Sequence, residues 1–138
     1  KKGVTIYSME NGEFRFTESP LNKELRVATY TYAKSDVRDV DNLVKVQQDI
    51  YKLFIEKKTF WTLVHQYVDI CSIQNDESQV EILNMLANKD DFDLLLVTNL
   101  NDIHWRTSKC CKLRELLGKD IHSLQDGFLE YRRNWYEQ

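Results

Sequence analysis

The chain has 138 residues, 42% hydrophobic and 30% charged, which suits one folded domain with one core. Its net charge of −3 and pI of about 5.6 lack the basic excess by which a domain holds DNA through its own surface, so DNA contact is expected to be weak. No apolar run approaches the ~20 residues of a membrane helix, so no membrane association of that kind is expected. The first residues, Lys1-Lys2-Gly3-Val4, carry neither a Met nor a signal-peptide core and read as the start of a fragment or a processed chain.

In chain order, Val4 to Phe16 alternates loosely around Glu10-Asn11-Gly12, and Asn-Gly between short apolar runs predicts a hairpin or tight turn. Ser19-Pro20 breaks the chain. Residues 1–24 are thus expected to be an N-terminal extension, and residues 25–138 the domain proper. Leu25 to Thr31 (LRVATYT) is β-branched and aromatic and predicts a strand. Asp36 to Asp41 is polar and could cap a helix. Leu43, Val46, Ile50 and Phe54 follow at helical spacing and predict an amphipathic helix over 40–57. Phe60 to Val68 predicts a second strand and Asp69 to Asp76 a polar loop. Val80, Ile82, Leu83, Met85 and Leu86 mark a helix from about Glu77 to Asn88. Asp93 to Leu100 is nearly continuous hydrophobe, the pattern of a central parallel strand buried on both faces. Cys110, Leu113 and Leu117 mark a helix stopped by Gly118. Ile121 to Leu124 predicts a short strand, and Phe128 to Gln138 a helix whose Tyr131, Arg132, Arg133, Trp135 and Tyr136 suit stacking on nucleic acid or, at least as well, packing on a neighbouring subunit.

Alternating strands and helices predict an α/β domain of three layers, with a mostly parallel central sheet of about four strands flanked by helices. Ligands of such sheets sit beyond the carboxyl ends of the strands, which singles out the loops Tyr32–Asp36, Asp69–Asp76 and Asn99–Arg106. There is no GxGxxG and no phosphate-binding loop of the Walker type, and no cofactor is expected. Cys71, Cys110 and Cys111 follow no disulfide spacing and fit a reducing cytoplasm, with Cys110 expected in packing. His65, His104 and His122 are scattered, so no metal site is expected.

Those three loops carry a resemblance. Arg26-Val27-Ala28-Thr29-Tyr30 resembles the first strand of serine site-specific recombinases of the resolvase/invertase family, whose usual form is R-V-A-x-Y-x-R-V-S-T-D. Phe14 to Asn22 (FRFTESPLN) is similar to the extension that precedes that strand in recombinases of Gram-positive mobile elements. Gln47 falls on the glutamine of the family's first helix. Val64 to Asp69 resembles its second strand, and Phe92 to Trp105 (FDLLLVTNLNDIHW) resembles F-D-x-L-L-V-x-x-L-D-R-L-x-R. The helix over 107–118 is similar too. The likeness runs over roughly 14–124 and rests on order and spacing across several elements.

The resemblance implies a resolvase-like catalytic domain linked to DNA recombination or integration in a mobile element or phage. In the family a serine hydroxyl attacks a DNA phosphodiester, with no metal, and arginines meet the phosphate charge as bidentate, permanently protonated donors. Each of those positions differs here. The strand-end arginine falls on Tyr32 and the nucleophilic serine on Lys34. The arginine of the loop after strand two falls on Glu77. The aspartate and arginine of the D-R-L-x-R motif fall on Asn101 and Asp102, and its last arginine falls on Trp105. Among the ionisable residues left, one lysine stands against two carboxylates.

Ser35 and Arg106, each one residue beyond a lost catalytic position, are the substitutes to weigh. A one-residue slip on a strand turns a side chain to the other face, and it would put Ala33 at the strand-end arginine. Ser35 therefore reads better as a cap or loop residue, and Arg106 as support for the next helix. His104 and Trp105 could form a new site with Asn101, although packing of Trp105 and solvation of His104 suffice. The expectation is a degenerate, inactive domain that serves as scaffold or protein-interaction module, as a homo-oligomer or with a partner recombinase. The alternatives are an active recombinase using Ser35, or an unrelated flavodoxin-like binding domain. The long helix that follows the family's catalytic domain is not recognisable in this chain.

Overall fold

The computed structural model describes residues 4–8, 14–18, 24–104 and 106–125. Six strands form one sheet in the order β2-β1-β6-β5-β3-β4. They are β1 (Val4–Ser8), β2 (Phe14–Glu18), β3 (Leu25–Lys34), β4 (Trp61–Cys71), β5 (Leu94–Val97) and β6 (Asp120–Ser123). The four strands β4, β3, β5 and β6 are parallel to one another, and helices join them. This is the α/β architecture expected from the alternating elements. β1 and β2 pair antiparallel, and β1 extends the sheet along β6, with Thr5 opposite His122 and Ile6 opposite Ile121. The Glu10-Asn11-Gly12 turn lies outside the described residues.

Side-chain alternation divides the core into two layers. Ala28 and Tyr30 of β3, Leu95 and Val97 of β5, and Ile121 of β6 face α2 (Val80–Ala87) and α3 (Thr107–Leu117). Leu25 and Val27, with Leu94 and Leu96, face α1 (Val40–Glu56). All four residues of β5 are buried, as a central parallel strand requires, and each such leucine contributes roughly 1.5–3 kcal/mol by burial. Gly118 ends α3 in the left-handed region at φ 65°, the role the sequence assigns to it.

Several boundaries differ from expectation. β4 runs to Cys71, so Asp69 is a strand residue rather than the start of a loop. A carboxylate tolerates that buried place because the Tyr30 hydroxyl donates to it at 2.8 Å. Val64 is an extra residue in β4, since Val27 pairs with Leu63 and Ala28 with His65. Likewise Tyr32 and Lys34 belong to β3, not to a loop. α2 starts at Val80, not Glu77, because the Asn75 side chain accepts the amides of Glu77 and Ser78 and folds that segment as a turn. Before α1, Asp39 takes a left-handed backbone at φ 57° and makes no side-chain cap. The apolar face of α1 also differs. Val44, Tyr51 and Ile55 point inward, whereas Leu43, Val46 and Ile50 are exposed and only Phe54 of the predicted set packs against the core. Tyr51 wins the inward place because its hydroxyl finds partners at the strand ends.

Candidate functional site at the strand ends

Strand order reverses about β3, with β4 on one side and β5 on the other, so the crevice beyond these carboxyl ends is where such a sheet places a ligand. A buried polar network supports it. The Tyr51 hydroxyl donates to the Tyr30 carbonyl at 2.7 Å and accepts from the Thr98 amide and the Thr98 hydroxyl, both at 2.9 Å. The single Thr98 hydroxyl proton is shared between Tyr51 and Gln47 Oε1, so the helix glutamine singled out in the sequence reaches the end of β5. Across the sheet, Gln79 Nε2 donates to the Tyr30 hydroxyl at 3.1 Å and to the Ile103 carbonyl at 3.0 Å. Asp69 completes the network by accepting the Glu81 amide at 3.1 Å. Burial pushes the Tyr30 phenol and the Asp69 carboxyl up from their ordinary values.

Two loops close over the α2/α3 side of the crevice. A short 3₁₀ turn, Leu100–Asp102, is started by the Asn99 side chain, which accepts the Asn101 amide at 2.8 Å. Gln74 Nε2 donates to the Asn101 carbonyl at 2.6 Å and to the Asp102 carbonyl at 3.0 Å, tying the loop after β4 to the loop after β5. Sequence reasoning missed this glutamine pair and Tyr51. Their signal, long polar side chains in otherwise apolar surroundings, has meaning only once the partners are known.

The residues singled out by resemblance fall around this rim. Tyr32 is half-buried against the α2/α3 core, and its phenol is pushed up by burial, then by Cys71, Asp36 and Asp102. Lys34 is exposed at the last position of β3. Alternation puts Lys34 on the same face as Tyr32, and Ser35 follows, exposed, in the turn after β3. The Ser35 amide still donates to the Cys71 carbonyl at 3.0 Å, so the ladder register persists to this point. Glu77 is exposed in the turn before α2, and Asn101 is exposed on its 3₁₀ turn beside a half-buried Asp102. Arg106 is exposed at the start of α3, where its amide donates to His104 Nδ1 at 3.0 Å. His104 is half-buried rather than solvated, and burial holds its pKa below the usual imidazole value. Trp105 and the tail over 126–138 lie outside the described residues. The Asp102 carboxylate lies near enough to Tyr32 to help raise its phenol, and Lys34 follows two residues along the same strand.

Beneath the rim, α2 and α3 leave an apolar groove of about 240 Å³ between Ile82, Leu83 and Leu86 on one wall and Leu113 and Leu116 on the other. Asp76, His104, Lys109 and Lys112 also line it. Among the described residues no group of His, Cys, Asp or Glu could hold a metal ion, and no helix is long and apolar enough to cross a membrane.

No protein-family model matches the sequence, and no curated protein matches it. Solved structures do. The chain is similar to the C-terminal catalytic domain of ISC1926 TnpA, an IS607-like serine recombinase, at 17% identity and a TM-score of 0.58, over 72% of this chain and 70% of that one. It is also similar to the N-terminal catalytic domain of TP901-1 integrase, at 18% identity and a TM-score of 0.55, over 76% and 80%. At such identities the likeness is one of fold, and the fold is that of serine recombinase catalytic domains.

Proposed function

We propose that this chain is a recombinase-fold domain of a mobile-element or phage protein that does not cut DNA and acts as a scaffold or interaction module in recombination. The observation that supports this reading is the occupancy of the crevice face of β3, where Tyr32 and Lys34 stand at the positions that resemble the family's arginine and serine. A phosphodiester attacked there would meet one ammonium, no aligned hydroxyl and the Asp102 carboxylate close to Tyr32. Ser35, the substitute nucleophile, stands in the turn one residue beyond the end of β3. The acidic net charge supports weak DNA contact through this domain.

The test is a covalent-adduct assay. The protein is incubated with pooled genomic DNA fragments, denatured, and searched for DNA-linked protein and for phosphoserine by mass spectrometry. No adduct is expected. An adduct that Ser35→Ala abolishes would replace this reading with that of an active enzyme.

A further inference from the structure

The groove of about 240 Å³ between α2 and α3 has aliphatic walls and a polar floor. Ile82, Leu83 and Leu86 recur at helical spacing on α2, as do Leu113 and Leu116 on α3, so each helix lays one apolar stripe into it. Depth follows from exposure. Leu83 and Leu116 are more than half exposed and belong to the mouth, whereas Gln79, Ile103 and Leu113 are buried and belong to the floor. The exposed Asp76, Lys109 and Lys112 bring both signs of charge to the lining and select neither in an occupant.

Gln79 is only 2% exposed, and all but one of its polar atoms have partners. Its backbone amide donates to the Asn75 carbonyl, and its backbone carbonyl accepts the Ile82 amide, both at 3.1 Å. Its side-chain Nε2 donates to the Tyr30 hydroxyl at 3.1 Å and to the Ile103 carbonyl at 3.0 Å. A carbonyl can only accept, so the Ile103 bond fixes which end of the side-chain amide is the nitrogen. The other end, Oε1, is reached by no donor among the described residues. Nor is it sealed in the core: the sealed, unpartnered polar atoms belong to other residues. Because Gln79 lines the groove, this oxygen opens on it. An acceptor without a donor is costly in apolar surroundings, and a ligand that carries the donor removes that cost.

We infer that the α2–α3 groove binds a compact, uncharged aromatic molecule with one N–H or O–H, which donates to Gln79 Oε1 while the ring packs on the aliphatic walls. The volume sets the size. An aliphatic cavity of roughly 150 Å³ takes a benzene ring, and 240 Å³ leaves room for a second, fused ring. A rigid ring holds its donor and its apolar surface in fixed relation and loses little freedom on binding. Gln79 is the one polar side chain among the buried lining residues, so further polar groups at the ligand's buried end weaken binding. The site does not depend on whether the strand ends cut DNA.

The test is titration of the isotope-labelled full chain with indole and with benzofuran, which has the same shape and no N–H. Indole is expected to shift the Gln79 side-chain amide and the backbone amides of Leu83, Leu113 and Leu116 saturably, with a dissociation constant below about 1 mM. Benzofuran is expected to bind at least about tenfold more weakly. Leu83→Asp, at an exposed position of the wall, should weaken both ligands. Gln79→Met, which keeps the length and removes the acceptor, should bind the two equally. No saturable shift with indole, equal affinity of wild type for both ligands, shifts centred elsewhere, or unchanged binding by Leu83→Asp would each overturn the inference. If far-UV circular dichroism shows that Gln79→Met does not fold, the two ligands on wild type and on Leu83→Asp decide the matter.

Discussion

The interior of the sheet and the rim at its carboxyl ends behave as two different kinds of region. Inside, β5 is buried at every position, and the polar groups of Tyr30, Tyr51, Thr98 and Gln79 bond one another or the backbone across three elements. At the rim, Lys34, Ser35, Asn101 and Arg106 are all exposed on turns and strand ends. The interior is over-determined by packing, and it keeps a fold shared with serine recombinase catalytic domains at 17–18% identity. The rim can be rewritten at little cost to folding, and its residues differ from those the resemblance calls for. A fold can in general persist while the chemistry placed on it changes.

Substitutions should expose that contrast as a gradient. Leu96→Ala, in the fully buried middle of β5, is expected to cost about 3–4 kcal/mol of unfolding free energy, read from the chemical-denaturation midpoint. A loss below about 1 kcal/mol would mean the interior is far less tightly set than its burial indicates.

Acid should act through the interior too. His122 is fully buried beside Phe54 and Trp61, and burial, then Lys58, lowers its pKa to about 4 from 6.5. The unfolded chain takes up this proton first as pH falls, so stability is full above about 6.5 and is lost progressively down to about 4. Between pH 7 and pH 5 the loss is about 2 kcal/mol. Asp69 acts in the opposite sense, because its raised pKa lets the folded state take up a proton first. His122→Phe isolates the histidine, and its stability should change by that much less over the same interval.

Tyr51→Phe removes the hydroxyl shared by the Tyr30 carbonyl, the Thr98 amide and the Thr98 side chain. About 1–2 kcal/mol should be lost, with faster hydrogen exchange at Thr98. At the small end, Lys34→Ala and Ser35→Ala should each change stability by less than about 0.5 kcal/mol, because neither exposed side chain packs on the core. A large loss at either position would erase the distinction between rim and interior.

Legibility in the sequence follows the same division. Continuous hydrophobes announced β5, and helical spacing with Gly118 announced α3, because burial there needs no partner information. The face of α1 was misjudged because Leu43, Val46 and Ile50 form as good an apolar stripe as Val44, Tyr51 and Ile55. Only the strand-end partners of Tyr51 decide which one turns inward. Asp69 was assigned to a loop for the same reason: a lone carboxylate looks solvent-bound until the Tyr30 hydroxyl is placed beside it. At the candidate site Tyr32, Lys34 and Asn101 were singled out through family resemblance alone. The clamp of Gln74 and Gln79 on the loop after β5 was not, since it joins segments more than twenty residues apart.

The proposed loss of DNA cleavage turns on whether the strand-end crevice recognises a phosphodiester backbone. Backbone amide chemical shifts of the isotope-labelled protein, followed while a short DNA duplex is added at low salt, measure this residue by residue. We predict no saturable shifts confined to Tyr32–Asp36 and Asn99–Arg106. Saturable shifts centred on Ser35 and Arg106, abolished by Ser35→Ala, would contradict the account and mark a working phosphate site.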